Sequence, residues 1–108
     1  LDPVGQKELM TMIQSIYEKE NKTIIIISHD MDLIAEYTHR VIVLKDGQIS
    51  FDGPKESLFD DPQFHTFSLD LPAPIKLMKY VSQVANIEYR PLFNMEDVLS
   101  YLKEVSNE

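Results

Sequence analysis

The feature that most constrains the fold of this chain is the run Thr23–Ser28, which holds four consecutive isoleucines. β-branched residues favour strands, and this run shows no alternation of apolar and polar residues. A strand of that kind is covered on both faces, as is usual in a parallel sheet that lies between helices. The run therefore predicts an α/β fold in which Thr23–Ser28 is a buried parallel strand.

Helices precede and follow this strand. Asp2 is expected to be the N-cap of the first helix and Pro3 its first residue, where a missing N–H costs nothing. Apolar residues recur at the spacing of one helix face up to about Lys19. The second helix begins directly after the strand, and its buried face is expected at Met31, Ile34, Ala35 and Thr38.

A β-hairpin and a mostly helical tail complete the pattern. Asp46-Gly47 is a favoured pair for a two-residue type I′ turn and joins the strands Val41–Leu44 and Gln48–Asp52. After one or two helical turns, the chain is expected to be irregular through Pro74, because prolines keep preceding residues out of helices. Two helices then follow, with buried faces predicted at Leu77, Tyr80, Val81, Val84 and Ala85 and, after the N-cap Asn94, at Met95, Val98, Leu99 and Leu102.

Composition excludes several classes of function. The chain carries 18 acidic and 10 basic residues and a net charge of −8, so duplex nucleic acid and anionic lipid are poor direct partners. It has no cysteine, which excludes disulfides and thiol chemistry. None of its three glycines is followed directly by lysine, so the phosphate-binding P-loop motif is absent.

The strongest candidate site is Ser28-His29-Asp30, at the carboxyl end of the predicted strand. In open α/β sheets, ligands bind outside the carboxyl ends of the strands. The imidazole of His29 can donate an N–H to an anionic ligand and can exchange a proton near neutral pH. In the alternative interpretation, His29 merely caps the next helix or bonds a loop carbonyl. For an arbitrary His-Asp pair this structural role is the more common one.

Other acidic and histidine residues are weaker candidates. These are His29 with Asp30 and Asp32 as metal ligands, the histidines His39 and His65, and the pair Asp60-Asp61. The first set lies too close in sequence to surround an ion without distant help, so no metal site is predicted. The two other histidines lack ligand spacing and are expected at the surface. The acidic pair precedes a proline and is expected to form a solvated turn rather than a catalytic carboxylate pair.

The order of these segments resembles the C-terminal part of ABC-transporter ATPases. The chain opens on L-D-P-V-G, continues through a helix to T-I-I-I-I-S-H-D-M-D, and reaches R-V-I-V-L-K-D-G-Q-I-S-F-D-G-P. In that family the L-D-P stretch is the D-loop, and the histidine at the strand end is the switch, or H-loop. The match covers Leu1–Pro54, and the later L-D-L-P-A-P stretch and helical tail resemble the C-terminal extension of energy-coupling-factor importers of the cobalt, nickel and vitamin group.

This resemblance implies a fold and two regions. The fold would be the C-terminal part of a P-loop NTPase-like nucleotide-binding domain, with parallel strands, a β-hairpin and a small helical C-terminal appendage. Residues 1–53 would be the C-terminal part of the ATPase domain, and residues 54–108 a mostly helical extension. The Walker A loop, Q-loop, signature motif, Walker B aspartate and catalytic glutamate would all precede Leu1, so the chain is expected to be a fragment.

The resemblance also implies roles for particular residues. Asp2 would lie at the interface of two ATPase subunits, and His29 would contact the γ-phosphate of ATP and the attacking water. Ser28 would hold the strand end, and Asp30 would begin the next helix. The parent protein would hydrolyse ATP with Mg²⁺, whereas the fragment alone is expected neither to bind ATP or Mg²⁺ nor to hydrolyse ATP.

The implied partners are a second ATPase subunit, identical or different, and a membrane transport subunit, with no nucleic acid. The parent would lie at the cytoplasmic face of the plasma membrane as a peripheral protein. The alternative is a non-catalytic regulatory or dimerisation module that self-associates through residues 74–108, because two amphipathic helices need a partner surface; packing on the chain's own sheet would also satisfy them. A small unrelated α/β domain, such as a receiver-like module, would not explain the ordered motifs.

Overall fold

The computed structural model describes residues 2–107, which form a small α/β arrangement of one two-stranded antiparallel sheet and several helices. The elements in chain order are α1 (Pro3–Glu20), α2 (Met31–Tyr37), β1 (Arg40–Lys45), β2 (Gln48–Pro54), α3 (Lys55–Leu58), a 3₁₀ turn (Phe64–Thr66), α4 (Ala73–Val84) and α5 (Met95–Ser106). In the part of the chain that the structure describes, no helix is both long enough and apolar enough to span a membrane.

Helix α1 begins where the sequence predicts. The backbone N–H of Gly5 donates to Oδ1 of Asp2, with 2.7 Å between the two atoms. Pro3 occupies the first turn, where no intrahelical partner for its nitrogen is required. The helix ends at Asn21, whose φ of 52° is in the left-handed region that commonly terminates helices.

The predicted strand Thr23–Ser28 does not form in this structure. Residues 21–28 have no regular secondary structure, and the side chains of Ile25 and Ile27 are 84% and 96% exposed. A strand requires a neighbour that completes its backbone hydrogen bonds, and the two strands among residues 2–107 pair with each other. The parallel sheet expected from the isoleucine run therefore has no partner strand here.

The predicted β-hairpin is confirmed. Strands β1 and β2 pair antiparallel, with Val43 opposite Phe51 and an irregularity in register just after Val43. Asp46 and Gly47 have φ values of 52° and 76°, and a type I′ turn requires positive φ at both central residues. Val43 is buried, whereas its neighbour Leu44 is 72% exposed, so one face of the hairpin lies on the core.

The main core joins α2, the hairpin, α3 and α4 in a single cluster. No member exposes more than 8% of its surface: Met31, Ile34, Ala35, Val43, Leu58, Phe59, Phe67 and Ile75. Aromatic rings extend this cluster, since the ring centroid of Phe59 lies 5.9 Å from that of Phe64 and 6.4 Å from that of Phe93. The cluster takes residues from both sides of position 53, and the division of the chain into 1–53 and 54–108 stays a prediction.

Helix α4 begins earlier than predicted and buries a different face. It starts at Ala73, between two prolines, because proline is tolerated in the first helical turn. Ile75 and Met78 are fully buried, whereas Tyr80 and Val84 are 65% and 67% exposed. The periodicity thus predicted the helix correctly but assigned part of its buried face wrongly.

A second, smaller cluster joins α4 to α5. Met78, Val98 and Tyr101 form its buried centre, and the hydroxyl of Tyr101 donates to the carbonyl of Glu88 at 2.7 Å. The predicted N-cap is confirmed, since the side-chain oxygen of Asn94 accepts from the N–H of Asp97. In the predicted stripe of α5, Val98 is buried and Leu102 half-buried, but Met95 and Leu99 are 40% and 53% exposed.

Candidate functional site

The turn Ser28-His29-Asp30 is held from both of its ends. The hydroxyl oxygen of Ser28 accepts the backbone N–H of Asp30 at 2.9 Å. Oδ1 of Asp30 in turn accepts the N–H groups of Asp32 and Leu33, at 3.1 and 3.2 Å. This geometry is that of an N-cap, so Asp30 begins α2 and satisfies two of the N–H groups that a helix start leaves without partners.

His29 lies between these two anchors with its side chain exposed. Its ring forms no hydrogen bond with any other residue between positions 2 and 107, and the cap of α2 is Asp30. The reading in which His29 itself caps the helix is therefore wrong. The structure presents an open imidazole on a backbone turn that its neighbours hold in place.

A hydrogen bond connects this turn to the start of α1. Nε2 of Gln6 donates to Oδ2 of Asp30 at 3.3 Å, and Gln6 lies in the same first turns of α1 that Asp2 caps. The structure thus brings the first turns of α1, which Asp2 caps, into contact with Asp30, the residue next to His29. Asp2 is exposed, and one of its carboxylate oxygens is occupied by the N–H of Gly5.

The two other histidines lie at the surface, as predicted. The ring of His39 stacks on that of Tyr17, with 5.7 Å between the centroids and 28° between the planes. His65 lies exposed in the 3₁₀ turn. Neither lies in a group of three or more His, Asp or Glu side chains that could hold a metal ion, and residues 2–107 contain no such group.

Asp60 and Asp61 serve the structure in different ways. Oδ1 of Asp61 accepts the N–H of Gln63 in a local turn, as the sequence predicts. Oδ1 of Asp60 instead accepts the hydroxyl of Tyr89 at 3.2 Å and lies 3.5 Å from Nζ of Lys79. Burial, followed by the charge of Asp60, raises the pKa of the Tyr89 phenol. Sequence reasoning missed this contact, because its three members are far apart in the chain.

Lys55 and Asp32 were also not predicted to be structural. Nζ of Lys55 donates to the carbonyl of Ala35 at 2.6 Å and lies 4.6 Å from the ring centroid of Phe93. Burial is the main reason that the pKa of this lysine is lowered. Oδ1 of Asp32 accepts the N–H of Ala73, the first residue of α4, at 2.8 Å. The sequence carries no signal for either contact beyond a charged residue near a helix end.

One exposed ion pair lies on the hairpin. Nε and Nη2 of Arg40 donate to the two carboxylate oxygens of Asp52, both at 2.8 Å. The hydrogen bond from Arg40 is the main reason that the pKa of Asp52 is lowered. This pair uses Nε and Nη2 of the guanidinium and links the two strands of the hairpin.

Comparisons with known proteins identify relatives over the whole chain. The energy-coupling factor transporter ATP-binding protein EcfA2 of Staphylococcus epidermidis is 34% identical over 110 residues, and that of Bacillus licheniformis is 32% identical over 110 residues. A protein of Pyrococcus horikoshii that is named as an ABC transporter ATP-binding protein is 29% identical over 104 residues. No family model matches the chain.

The chain matches only part of each relative. The alignment covers 100% of this chain but 38% of the Staphylococcus epidermidis protein, and 95% of this chain but 36% of the Pyrococcus horikoshii protein. The chain thus spans well under half the length of the curated relatives it matches. It is homologous to a part of the ATP-binding proteins of ABC transporters of the energy-coupling factor type, as its motifs predicted.

Proposed function

We propose that this chain is the C-terminal part of the ATP-binding subunit of an ABC importer, and that the complete subunit couples ATP hydrolysis to transport. The observation that carries this proposal is the open imidazole of His29, directly before a helix that Asp30 caps. The relationship to ATP-binding proteins supports it independently.

His29 would act by position and charge. In phosphoryl transfer the protein contributes mainly by positioning the reactants and stabilising the charge that spreads over the transferred oxygens. An imidazole N–H directed at the γ-phosphate would stabilise that charge, and the same ring would orient the attacking water. A turn that is held at Ser28 and at Asp30 suits this role, because positioned groups lose least entropy when the substrate binds.

Asp2 would contribute at the boundary between two ATPase subunits. Its side chain is exposed and caps α1, and the hydrogen bond between Gln6 and Asp30 connects that helix start to the His29 turn. A change at a subunit interface near Asp2 would therefore reach His29 through a short series of contacts. This supports a role for Asp2 in setting the geometry of a site shared with a second ATPase subunit.

We further propose that segments from outside this chain enclose the isoleucine run in the complete protein, with strands that pair with its edges and helices that cover its faces. Ile25 and Ile27 are almost fully exposed, and burial of one such side chain stabilises a protein by about 1.5 to 3 kcal/mol. Strands on both sides of Thr23–Ser28 would give the parallel sheet of a P-loop NTPase-like domain. They would also place His29 at the carboxyl end of a buried strand, where ligands of such sheets bind.

ATP would be held mainly by residues that this chain does not contain. The chain lacks the glycine-rich P-loop motif, whose backbone N–H groups and lysine hold the phosphates. Among residues 2–107, no three His, Asp or Glu side chains lie close enough together to hold a metal ion without further ligands. We therefore expect the 108-residue chain alone neither to bind ATP nor to hydrolyse it.

The proposed partners and substrate are those that the resemblance to importer ATPases implies. We propose a second ATPase subunit and a membrane transport subunit, with the complete protein peripheral at the cytoplasmic face of the plasma membrane and a cobalt, nickel or vitamin substrate.

A second candidate function is a dimerisation module at residues 74–108, which the exposure of Tyr80, Val84, Met95 and Leu99 favours. Sedimentation of the chain over a range of concentrations tests that candidate, and a strictly monomeric chain would exclude it.

The main proposal is tested with His29→Ala in the complete ATPase. Loss of one positioned electrostatic donor typically lowers kcat about a hundredfold to a thousandfold, so we expect a fall of that order with nucleotide affinity unchanged. His65→Ala is the matched control, because His65 is also exposed but lies in the 3₁₀ turn. Unchanged turnover in His29→Ala would remove His29 from the mechanism.

A further inference from the structure

Helix α4 lacks an acceptor of its own at its first turn. Its N-cap is Pro72, which has no side-chain oxygen, and Pro74 has no N–H. The N–H of Ala73 is instead satisfied by Oδ1 of Asp32, which lies 41 residues earlier in the chain, at 2.8 Å. A carboxylate at this place also interacts favourably with the dipole of a helix, and α4 has 12 residues.

Asp32 is connected to the candidate site by its backbone. It is the second residue of α2, and its N–H donates to the cap oxygen of Asp30 at 3.1 Å. One residue therefore contacts the turn that carries His29 through its main chain and the start of α4 through its carboxylate. Two hydrogen bonds separate Ala73 from the residue adjacent to His29.

Packing makes this connection stiff. Met31 and Ile34 of α2 belong to the same buried cluster as Ile75 of α4. Side chains packed at the density of a protein interior transmit displacement rather than absorb it. A shift at the start of α4 would therefore move the start of α2, and with it the backbone of the His29 turn.

We propose that Asp32 is a positioning residue, which couples the helical region after residue 72 to the imidazole of His29. The proposal rests on the proposed function of His29 and adds a route by which contacts made by α4 alter phosphoryl transfer. The carboxylate acts through the backbone of the turn and touches no phosphate. The proposed coupling also explains why the first turn of α2 has an exposed acidic residue at Asp32, since the cap at Asp30 does not require one.

The kinetic test uses Asp32→Ala, Asp32→Asn and Glu36→Ala in the complete ATPase. A small displacement of a catalytic group can cost up to about a hundredfold in rate, so Asp32→Ala is expected to lower kcat tenfold or more, with the KM for ATP unchanged. Asp32→Asn is expected to recover most of this loss, because its amide oxygen can accept the same N–H. Glu36→Ala removes the same charge from α2 and is expected to leave kcat unchanged.

Nuclear magnetic resonance of the 108-residue chain gives a second readout that needs no ATP. In Asp32→Ala we expect the amide signal of Ala73 and the ring signals of His29 both to shift, and in Glu36→Ala neither. A shift at Ala73 without one at His29 would overturn the coupling. Equal kcat values for the wild type and Asp32→Ala would also overturn it if His29→Ala itself is slow.

The two proposals fail in different ways. If His29→Ala hydrolyses ATP at the wild-type rate while Asp32→Ala still shifts the His29 ring signals, the coupling stands and the role of His29 in hydrolysis is wrong. If His29→Ala is slow but Asp32→Ala is not, the role of His29 stands and the coupling is wrong.

Discussion

Replacement of Ile75 by alanine tests whether α4 is part of the main core. Ile75 is fully buried and packs in one cluster with Met31 and Ile34 of α2. The substitution removes three carbon atoms, worth about 0.8 kcal/mol each in transfer free energy. The cavity that remains adds to this cost, and large-to-small changes of this kind cost about 2 to 5 kcal/mol in total. For a side chain with no exposure, we expect a loss of about 3 to 4 kcal/mol.

Urea unfolding followed by circular dichroism measures this loss. With a slope of about 1 to 3 kcal/mol per molar urea, Ile75→Ala should lower the midpoint by at least about 1 M. The matched control is Val84→Ala in the same helix, where the side chain is 67% exposed and the change should stay within about 0.5 kcal/mol.

Hydrogen exchange shows where the loss of stability acts. Because Ile75 shares a cluster with α2, the amides of Ile34 and Ala35 should lose protection together with those of α4. The reasoning is refuted if Ile75→Ala and Val84→Ala lose the same free energy of unfolding. It is equally refuted if protection falls in α4 and α5 alone, since α4 would then be independent of the helix that follows His29.

Two further predictions concern single polar contacts. Tyr101→Phe removes the hydroxyl that donates to the carbonyl of Glu88 and should lower the free energy of unfolding by about 0.5 to 1.5 kcal/mol; thermal unfolding checks this, and an unchanged Tm would contradict it. Arg40→Ala should raise the lowered pKa of Asp52 towards its ordinary value, as followed by carbon-13 titration. Because the folded pKa of Asp52 is lowered, the pair stabilises the fold above the unfolded pKa of about 3.9. That contribution is lost as the pH falls through the folded pKa, and identical Asp52 titrations in both proteins would contradict this account.

Local signals in the sequence predicted the elements whose stability is local. The cap at Asp2 and the proline after it define the start of α1, and Asn94 defines that of α5, because each side chain bonds an N–H three residues away. The Asp46-Gly47 pair predicted the hairpin from a local property as well, because both residues tolerate the positive φ that the turn requires. The family relationship was also predictable, because its motifs are contiguous in the chain.

Contacts between distant segments were not predictable from the sequence. Periodicity showed that α4 is amphipathic but placed Tyr80 and Val84 in the core, where the structure buries Ile75 and Met78. The buried face of a helix depends on the surface against which it packs, and the sequence of α4 alone does not specify that surface. The contact of Asp32 with Ala73 likewise depends on the position of α2 relative to α4.

The isoleucine run shows most clearly which features follow from the amino-acid sequence and which depend on the tertiary structure. The amino-acid sequence specifies that four β-branched, apolar isoleucines lie within Thr23–Ser28, and that His29 and the α2 cap Asp30 directly follow this run. Whether the run becomes a strand depends on the rest of the fold, because a strand is stabilised by hydrogen bonds from a neighbouring strand. Among residues 2–107 the two strands pair with each other, so these isoleucines find no partner strand while the turn beside them is held by its own local hydrogen bonds.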